Sequence, residues 1–521
     1  MKKYARNVWH KIFTIVLFAL FFQVPIFYGL VKLSIVSCNV MPTLGSIHTF
    51  SPRRVGTTTP VHDATPDLHS GTGQKRDIKG SHLNQASANA TAVNSIPASA
   101  KMQNLSQLRP HGHAHFTFVQ FSSYRESPRV FFVVGVTSVV VREFDLPVYK
   151  CEWHPKPNRG EPLQPSKVTD AKMIYVYFDQ MPRIYVVAIV NCTFEDDVGM
   201  GEEGGSLFMT VSAGPHPGDT EKVLVLQEQN DEAKEAMRKR DQPLPFKYAF
   251  CGPPMHGNVK AEWVLQWLVY HHYLWRDSVH FFFYNVGGIT NSVRQVFSPF
   301  INNGLLTIVD VEDQKDYPSW YFNQLLFIND CLHRTRYLSS WTFFHDFDEF
   351  FTMSSSITLD KLLDEYKDVP YLTFGSLRAS LWICTDVHPE SSEWPLQRMR
   401  WAEKQPFCSA PDQDPWICIH GKGARKYVVN PRKVFAGGVH RTAIPEEGGV
   451  NLNASIARLN HYPGMLANGT TSCSFTVNVS IPIELLYQYA PSSQLYERDD
   501  SIPIQMGKAR EFDAELLAAY L

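Results

Sequence analysis

The sequence lacks a surplus of either charge. Its 49 Lys and Arg stand against 51 Asp and Glu, a formal net charge of -2, so no basic field gathers a phosphate backbone and nucleic acid is not an expected partner. It also lacks any C-x-x-C pair among its nine cysteines, which argues against structural zinc. No A-x-A pattern stands close behind the N-terminal apolar run, as a cleaved secretory signal would require. Charged residues are only 19% of the chain while aromatics reach 13%, a balance that suits heavy sheet cores and equally a surface that stacks on sugar rings.

What is present begins at the N-terminus. Lys2, Lys3, Arg6 and Lys11 precede the apolar run 12–31, which is long enough to span a bilayer. With the positive residues held in the cytoplasm, residues 1–11 are expected as a cytoplasmic tail, 12–31 as a signal anchor and the rest as lumenal or extracellular. Sequons at Asn89, Asn104, Asn191, Asn453, Asn468 and Asn478 agree with that compartment and offer glycan sites. So do the eight cysteines beyond Cys38, which are expected to be mostly disulfide-bonded. Cys331, inside an apparent buried helix, is the expected exception. Residues 42–113, rich in Ser, Thr, Pro, Gly, Asn and Ala, cannot bury enough surface to fold and read as a flexible stem. The His111, His113, His115 run at its end reads as incidental.

From 114 to 228 short Val-, Ile-, Phe- and Tyr-rich runs alternate with Pro, Gly and Asp, predicting an all-β module, a sandwich. Gly199-Met200-Gly201-Glu202-Glu203-Gly204 matches G-x-G-x-x-G, but no helix pattern follows and two glutamates would repel phosphate, so it reads as a loop. The charged segment 228–241 reads as a helical linker. Beyond about 245 strands and helices alternate. A strand at 247–251 and the turn Gly252 to Asn258 precede a helix over 259–275, a strand at 280–284, another at 305–311, and a helix over 321–334. In that last helix Phe322, Leu325, Leu326 and Leu332 should face inward, with Asn323, Gln324 and Asp330 on more polar sides. The rhythm predicts a parallel or mixed sheet flanked by helices, with ligands at the C-terminal ends of the strands.

The run 341–351, WTFFHDFDEFF, then reads as a buried strand ending in acids. Side chains two apart share a side, so Asp346 and Asp348 can face one ligand while Phe347 points into the core. Like charges so placed repel and lose hydration unless a cation or donors compensate, and a divalent metal carrying a diphosphate is a natural compensation. Same-face acids at one strand end fit metal binding better than the opposed carboxylates of a glycoside hydrolase. A membrane-anchored carbohydrate-binding protein without catalysis is the non-enzymatic alternative. Asp386 and Glu393, after the strand at 371–374, are candidates to deprotonate an acceptor hydroxyl. Lys426 and Arg432 read as surface charges, with phosphate neutralisation as their functional alternative.

The order Cys251-Gly252-Pro253, Gly257-Asn258, 267–271 (WLVYH), 280–284 (HFFFY), Asn323-Gln324, 329–332 (NDCL), Asp346-Phe347-Asp348-Glu349, Gly438-Val439-His440 and His461-Tyr462 resembles glycosyltransferase family 92, and among its members the plant galactan synthases. The likeness covers about residues 245–465. It implies an α/β, GT-A-type nucleotide-sugar-binding catalytic domain, here over 245–521, preceded by a β-sandwich module resembling a carbohydrate-binding module over 114–228 and by the N-terminal transmembrane helix. It further implies an inverting transfer of galactose from UDP-galactose, with Mn2+, to β-1,4-galactan side chains of pectic rhamnogalacturonan I in the Golgi, and it leaves a homodimer open. By position Asp346 would approach the ribose, Gly252 and Asn258 would border the uracil, and Asn323 and Gln324 would lie on the nucleotide side. Asp348 would hold the metal together with a late histidine. His461 is favoured over His440, because Arg458 to Tyr462 reads as a short strand able to pair beside the acidic one. Galactan synthases carry His-Tyr-His where this chain has His461-Tyr462-Pro463, one histidine fewer.

Overall fold

The computed structural model describes residues 107–514, except 112–117, 139–146, 158–159, 161, 177–183, 201–203, 213–219, 230, 312, 381–382, 386–393, 404–424, 464–474 and 478–495. The expected anchor and all of the stem but its last residues lie outside these. Among the described residues no helix is long and apolar enough to cross a membrane. The end of the stem departs from expectation: Arg109–His111 is a strand, β1, and His111 Nε2 lies 3.1 Å from Gln120 Oε1.

Seven more strands follow: Phe118–Arg125 (β2), Val130–Ser138 (β3), Val148–Pro155 (β4), Lys167–Tyr175 (β5), Tyr185–Thr193 (β6), Gly205–Ser212 (β7) and Thr220–Glu228 (β8). They form one antiparallel path, β1-β2-β3-β6-β5-β4-β7-β8. The expected sandwich is therefore a single sheet folded on itself, because β5 pairs with both β6 and β4 and joins the two halves. Phe118, Phe131, Val133 and Val190 from one half meet Tyr149, Trp153, Leu207 and Met209 from the other in a common core, which the Cys151–Cys192 disulfide crosses. β3 is buried along almost its whole length, since its second face is covered as well.

What covers it comes from the second half of the chain, chiefly its helix 320–335. Helix α1 (Glu232–Arg240) leads to β9 (Phe246–Met255), α2 (Ala261–Trp275), β10 (Val279–Asn285), α3 (Asn291–Asn302), β11 (Leu306–Asp310), α4 (Trp320–Thr335) and β12 (Ser339–Phe344). These four strands are parallel in the order β11-β10-β9-β12. The chain runs outward from β9 and then returns to its other side, so the strand order reverses between β9 and β12, where open α/β sheets bind ligands. The sheet continues through Glu349–Met353 (β13), α5 (Leu359–Glu365) and Tyr371–Arg378 (β14), and beyond the short Ile383–Thr385 (β15), α6 (Pro395–Arg398) and Trp401–Glu403 (β16) through Lys426–Val429 (β17). After Ala436–Gly437 (β18) and Thr442–Ile444 (β19) come Val450–Asn451 (β20) and Ala457–His461 (β21). The path runs β12-β17-β14-β21-β13, with antiparallel pairs making the sheet mixed.

Helix α2 is buried on more than the one face its pattern predicted, because the C-terminal helix α7 (Ser501–Phe512) covers its far side and His272 Nδ1 lies 3.0 Å from Asp513 Oδ1. Helix α4 differs at its start. Tyr321, Phe322 and Asn323 take left-handed φ of 44°, 53° and 66°, so the regular period begins only after them. Phe322 consequently faces outward, 44% exposed, while Asn323 and Asp330 are fully buried. Asp330 tolerates burial because Tyr124 and Tyr284 donate their hydroxyls to it and Arg334 pairs with it at 3.0 Å. Cys331, expected to be free, is bonded to Cys251. The helix lies directly on β9, bringing the two Cα atoms to 6.0 Å.

Candidate active site at the acidic turn

The aromatic run of 341–351 is not one strand. β12 ends at Phe344, a turn occupies 345–348, and β13 begins at Glu349 in a different part of the sheet. Phe347 is the pivot. Its ring is 2% exposed and packs 5.0 Å from Phe283 and 5.2 Å from Trp267, centroid to centroid, which holds the carboxylates on either side of it at the C-terminal edge. Gly252, inside β9, which continues to Met255 where the sequence suggested a turn from Gly252, allows this approach. A Cβ there would sit 2.6 Å from the Phe283 ring and 3.1 Å from Phe347, so Gly252 is required for packing beneath the turn.

Two groups of contacts divide the acids. Asp346 Oδ2 accepts from Lys426 Nζ at 2.7 Å and Oδ1 from Gln324 Nε2 at 3.2 Å. Lys426, read in the sequence as a surface charge, is 3% exposed and reaches Glu349 Oε2 at 3.8 Å. It projects from β17, which pairs with β12 directly beside the turn. Glu349 Oε2 in turn accepts the Asp346 backbone N–H at 2.7 Å. Burial alone would raise the Asp346 carboxyl, but the Lys426 charge and hydrogen bond outweigh it and hold its pKa below the usual carboxylate value. Glu349, more deeply buried and only partly compensated by Lys426, is pushed up to about 7. Thus an internal cation supplies much of the compensation the acids need.

Asp348 belongs to the other group. β13 and β21 are antiparallel with Glu349 opposite His461, and the Tyr462 backbone N–H donates to the Asp348 carbonyl at 2.7 Å. This register brings His461 Nε2 to 3.5 Å from Asp348 Oδ2, with both side chains partly exposed. Burial lowers the imidazole pKa, yet the hydrogen bond to Asp348 and the fields of Asp348, Glu349 and Asp346 prevail, leaving it raised. Two ligands of one divalent cation, each about 2.1 Å from it at right angles, lie about 3 Å apart, so the pair fits a shared cation. Among the described residues no three His, Cys, Asp or Glu side chains converge on one point, and the other positions would fall to diphosphate oxygens and water.

The remaining candidates divide as well. His440 is exposed beyond β18, its Nδ1 3.0 Å from the Arg425 carbonyl. Gln324 reaches the acidic turn directly. Asn323 does not: its Oδ1 accepts the Ser319 N–H at 2.6 Å and its Nδ2 donates to the Gln314 carbonyl at 3.3 Å, so it fixes the loop before α4 and leaves no free amide edge. Asn258 is exposed in the loop after β9. Asp386 and Glu393 lie outside the described residues. Two participants were named in the sequence without these roles, Lys426 and Glu349. Glu349 was visible as the third acid of the run but was given no part in the site, and Lys426, read as a surface charge with phosphate neutralisation as its alternative, is instead buried against the acids.

Comparison with known proteins shows the family of the chain. A family model described as Glycosyltransferase family 92 matches residues 246–484, a span that contains both halves of the acidic site. The chain is 30% identical over 411 residues, covering 78% of each chain, to galactan β-1,4-galactosyltransferase GALS1 of Arabidopsis thaliana. It is 27% identical over 379 residues to GALS2 of the same plant, covering 71% of this chain and 69% of that one. β-1,4-Galactosyltransferase galt-1 of Caenorhabditis elegans is 25% identical over 224 residues, 42% of this chain and 48% of its own. Among solved structures, galactosyltransferase LgtC with donor and acceptor sugar analogues aligns over 47% of this chain and 99% of its own, at a TM-score of 0.24 and 11% identity, a likeness too slight to argue from.

Proposed function

The chain belongs to glycosyltransferase family 92 and is a glycosyltransferase, and from that premise we propose that it transfers galactose from UDP-galactose to β-1,4-galactan side chains of pectic rhamnogalacturonan I. The match to a galactan β-1,4-galactosyltransferase over 411 residues is the observation that carries this reading. In it the catalytic part has a GT-A-type fold, the residues before it act as a carbohydrate-binding module, and the reaction inverts the anomeric centre. The basic and apolar N-terminus supports a single-pass Golgi membrane protein with a lumenal catalytic part.

Charge accounting supports the assignment of roles. A departing UDP gains negative charge at the diphosphate, and a bound Mn2+ would supply the Lewis acid that stabilises it. Asp348 and His461 would hold that ion, with His440 as the alternative imidazole. Asp346, already neutralised by Lys426, is suited to accept hydrogen bonds from the ribose hydroxyls rather than to bind metal. Gln324 is oriented by Asp346 on the same side, and Gly252 and Asn258 border the nucleoside. Asp386 and Glu393 are the proposed bases for the acceptor hydroxyl.

The test is a pair of substitutions. Asp348→Asn and His461→Ala should each lose most transfer from UDP-galactose to β-1,4-galacto-oligosaccharides, remain folded, and bind Mn2+ more weakly by calorimetry. If His461→Ala binds Mn2+ as tightly as the unmodified chain while His440→Ala does not, the imidazole ligand is His440. If neither matters, the metal assignment to these histidines is wrong.

A further inference from the structure

Of the six sequons in the chain, Asn191-Cys192-Thr193 and Asn453-Ala454-Ser455 lie within the described residues. As sequence the two are equivalent, but their surroundings separate them. Asn453 lies in the link between β20 and β21, and both it and Ser455 are exposed. Its Oδ1 accepts the backbone N–H and the hydroxyl of Ser455, each at 2.9 Å. Its carbonyl accepts the N–H of Ile456 at 2.8 Å and of Ala457 at 3.1 Å. An Asn side chain that bonds the backbone two residues on closes a turn by itself, so this conformation needs no distant partner. Both side-chain bonds fall on the oxygen, and among the described residues the Nδ2 of Asn453 has no partner.

Asn191 is placed otherwise. It sits inside β6, opposite Phe132 of β3 on one side and Lys172 of β5 on the other. By the alternation of a strand its side chain shares a face with Val187 and Ile189, which belong to the core shared with α4. Phe132, directly opposite, is 5% exposed, with the rings of His333 and Phe435 each 5.0 Å away. Asn191 is half-buried, and Cys192 beside it is bonded to Cys151. A sugar on its amide would have to leave along the face on which α4 packs. The contact of Thr193 Oγ1 with Asn191 Oδ1 at 3.0 Å resembles that at Asn453, so exposure and backbone, not the hydroxyl, distinguish the two.

We propose that Asn453 carries an N-linked glycan and that Asn191 is bare in the folded protein. This rests on the lumenal placement in the functional reading above. The donor is an oligosaccharide held on a lipid diphosphate. The Nδ2 of Asn453 forms a bond to the anomeric carbon of that oligosaccharide, while the bond from the same carbon to the diphosphate breaks. The diphosphate leaves with the electron pair, and the amide gives up one proton. A glycan is bulky and hydrophilic and so belongs on an exposed turn. It also leaves the acidic site open, because β21 runs from Ala457 to His461, about 14 Å of strand at about 3.4 Å per residue. An occupied Asn453 keeps the face around this turn out of any contact between two copies of the chain.

The experiment uses the full chain, made in cultured mammalian cells and purified folded. A peptide-N-glycosidase in heavy-oxygen water turns each glycosylated Asn into a labelled Asp, which mass spectrometry of the peptides reads. Label at Asn453 in most copies and none at Asn191 is the expected result. Ser455→Ala, an exposed change that removes the hydroxyl a sequon requires, should lose the label at Asn453, and Ser455→Thr should keep it. Label at Asn191, or label at Asn453 that survives Ser455→Ala, overturns the proposal. An unlabelled Asn453 in the parent chain overturns it as well, and protease added to sealed microsomes then separates two failures. A protected chain leaves the lumenal reading standing and rejects the choice of Asn453 alone. A digested chain rejects both.

Discussion

Lys426 is a buried cation serving two carboxylates, 2.7 Å from Asp346 and 3.8 Å from Glu349. Breaking such a cluster from one side leaves uncompensated charge in a poorly solvated place, which typically costs about 3–5 kcal/mol. Lys426→Met should therefore lose about that much stability in urea unfolding at pH 7, although methionine fits the volume; a loss below about 1 kcal/mol would show that water already screens the acids. His280 gives a pH-dependent counterpart away from the site. Its Nδ1 lies 3.0 Å from the Gly304 carbonyl, which can only accept, so Nδ1 carries the proton and Nε2 accepts from Thr307 Oγ1 at 2.9 Å. Burial lowers its pKa to about 4. Above pH 6.5 the ring is neutral whether folded or unfolded and contributes no slope. As pH falls from 6.5 toward 4 only the unfolded chain takes up the proton, so stability is lost on acidification, by about 2 kcal/mol between pH 7.5 and 5. His280→Gln, with one donor and one acceptor and no titration, should lose about 2 kcal/mol less than the parent over that interval by urea midpoints. An identical loss would mean that His280 is solvated or protonated in the fold.

At the scale of elements, legibility followed the strength of the periodic signal. The strands β9, β10 and β11 and helix α2 between the first two were readable because each is a long apolar or 3.6-period segment whose burial depends mainly on its own residues, whereas helix α3 was not singled out in the sequence. The pairing of β21 beside the acidic segment was readable for a similar reason. The break at 345–348 was not, because Phe347 is as apolar as the strand residues around it, and only the three-dimensional position of Phe283 and Trp267 shows that its ring packs at a turn. The left-handed start of α4 was equally hidden. Nothing in Tyr321-Phe322-Asn323 demands positive φ, and the conformation is imposed by the loop that Asn323 ties down. Asn323 and Asp330 were assigned to polar faces on side-chain type, yet both are buried because partners for them come from other segments. Cys331 was misjudged in the same manner: a buried helix argues for a free thiol only if no second cysteine lies beneath it, and Cys251 does.

At the scale of the molecule the two sheets are one folding unit, which sequence composition alone would have divided. Val119, Phe121, Phe132, Val134, Val187 and Ile189 from the first sheet share a continuous core with Leu325, Ile328 and Leu332 of helix α4 and with Phe344, Tyr427 and Val429 of the second sheet. Polar contacts cross the same boundary. Tyr124 donates to Asp330, Tyr337 donates to Glu126 at 2.8 Å, and Arg336 pairs with Glu126 at 2.9 Å. Helix α4 carries both this interface and Gln324, so the first sheet braces the element that reaches the acidic turn. A piece beginning at 245 would expose that apolar face and remove one donor from a fully buried carboxylate. We expect it to aggregate or to lack a cooperative transition, while the chain from 107 onward unfolds in one step seen alike by calorimetry and tryptophan fluorescence. Tyr124→Phe, which deletes one hydroxyl and leaves Asp330 short of a donor, should cost about 1–3 kcal/mol and lower the single transition as a whole, because the lost bond belongs to both sheets. Two separable transitions in the parent, with only one shifted by Tyr124→Phe, would show instead that each sheet folds by itself and that the shared core is a docking surface between independent domains.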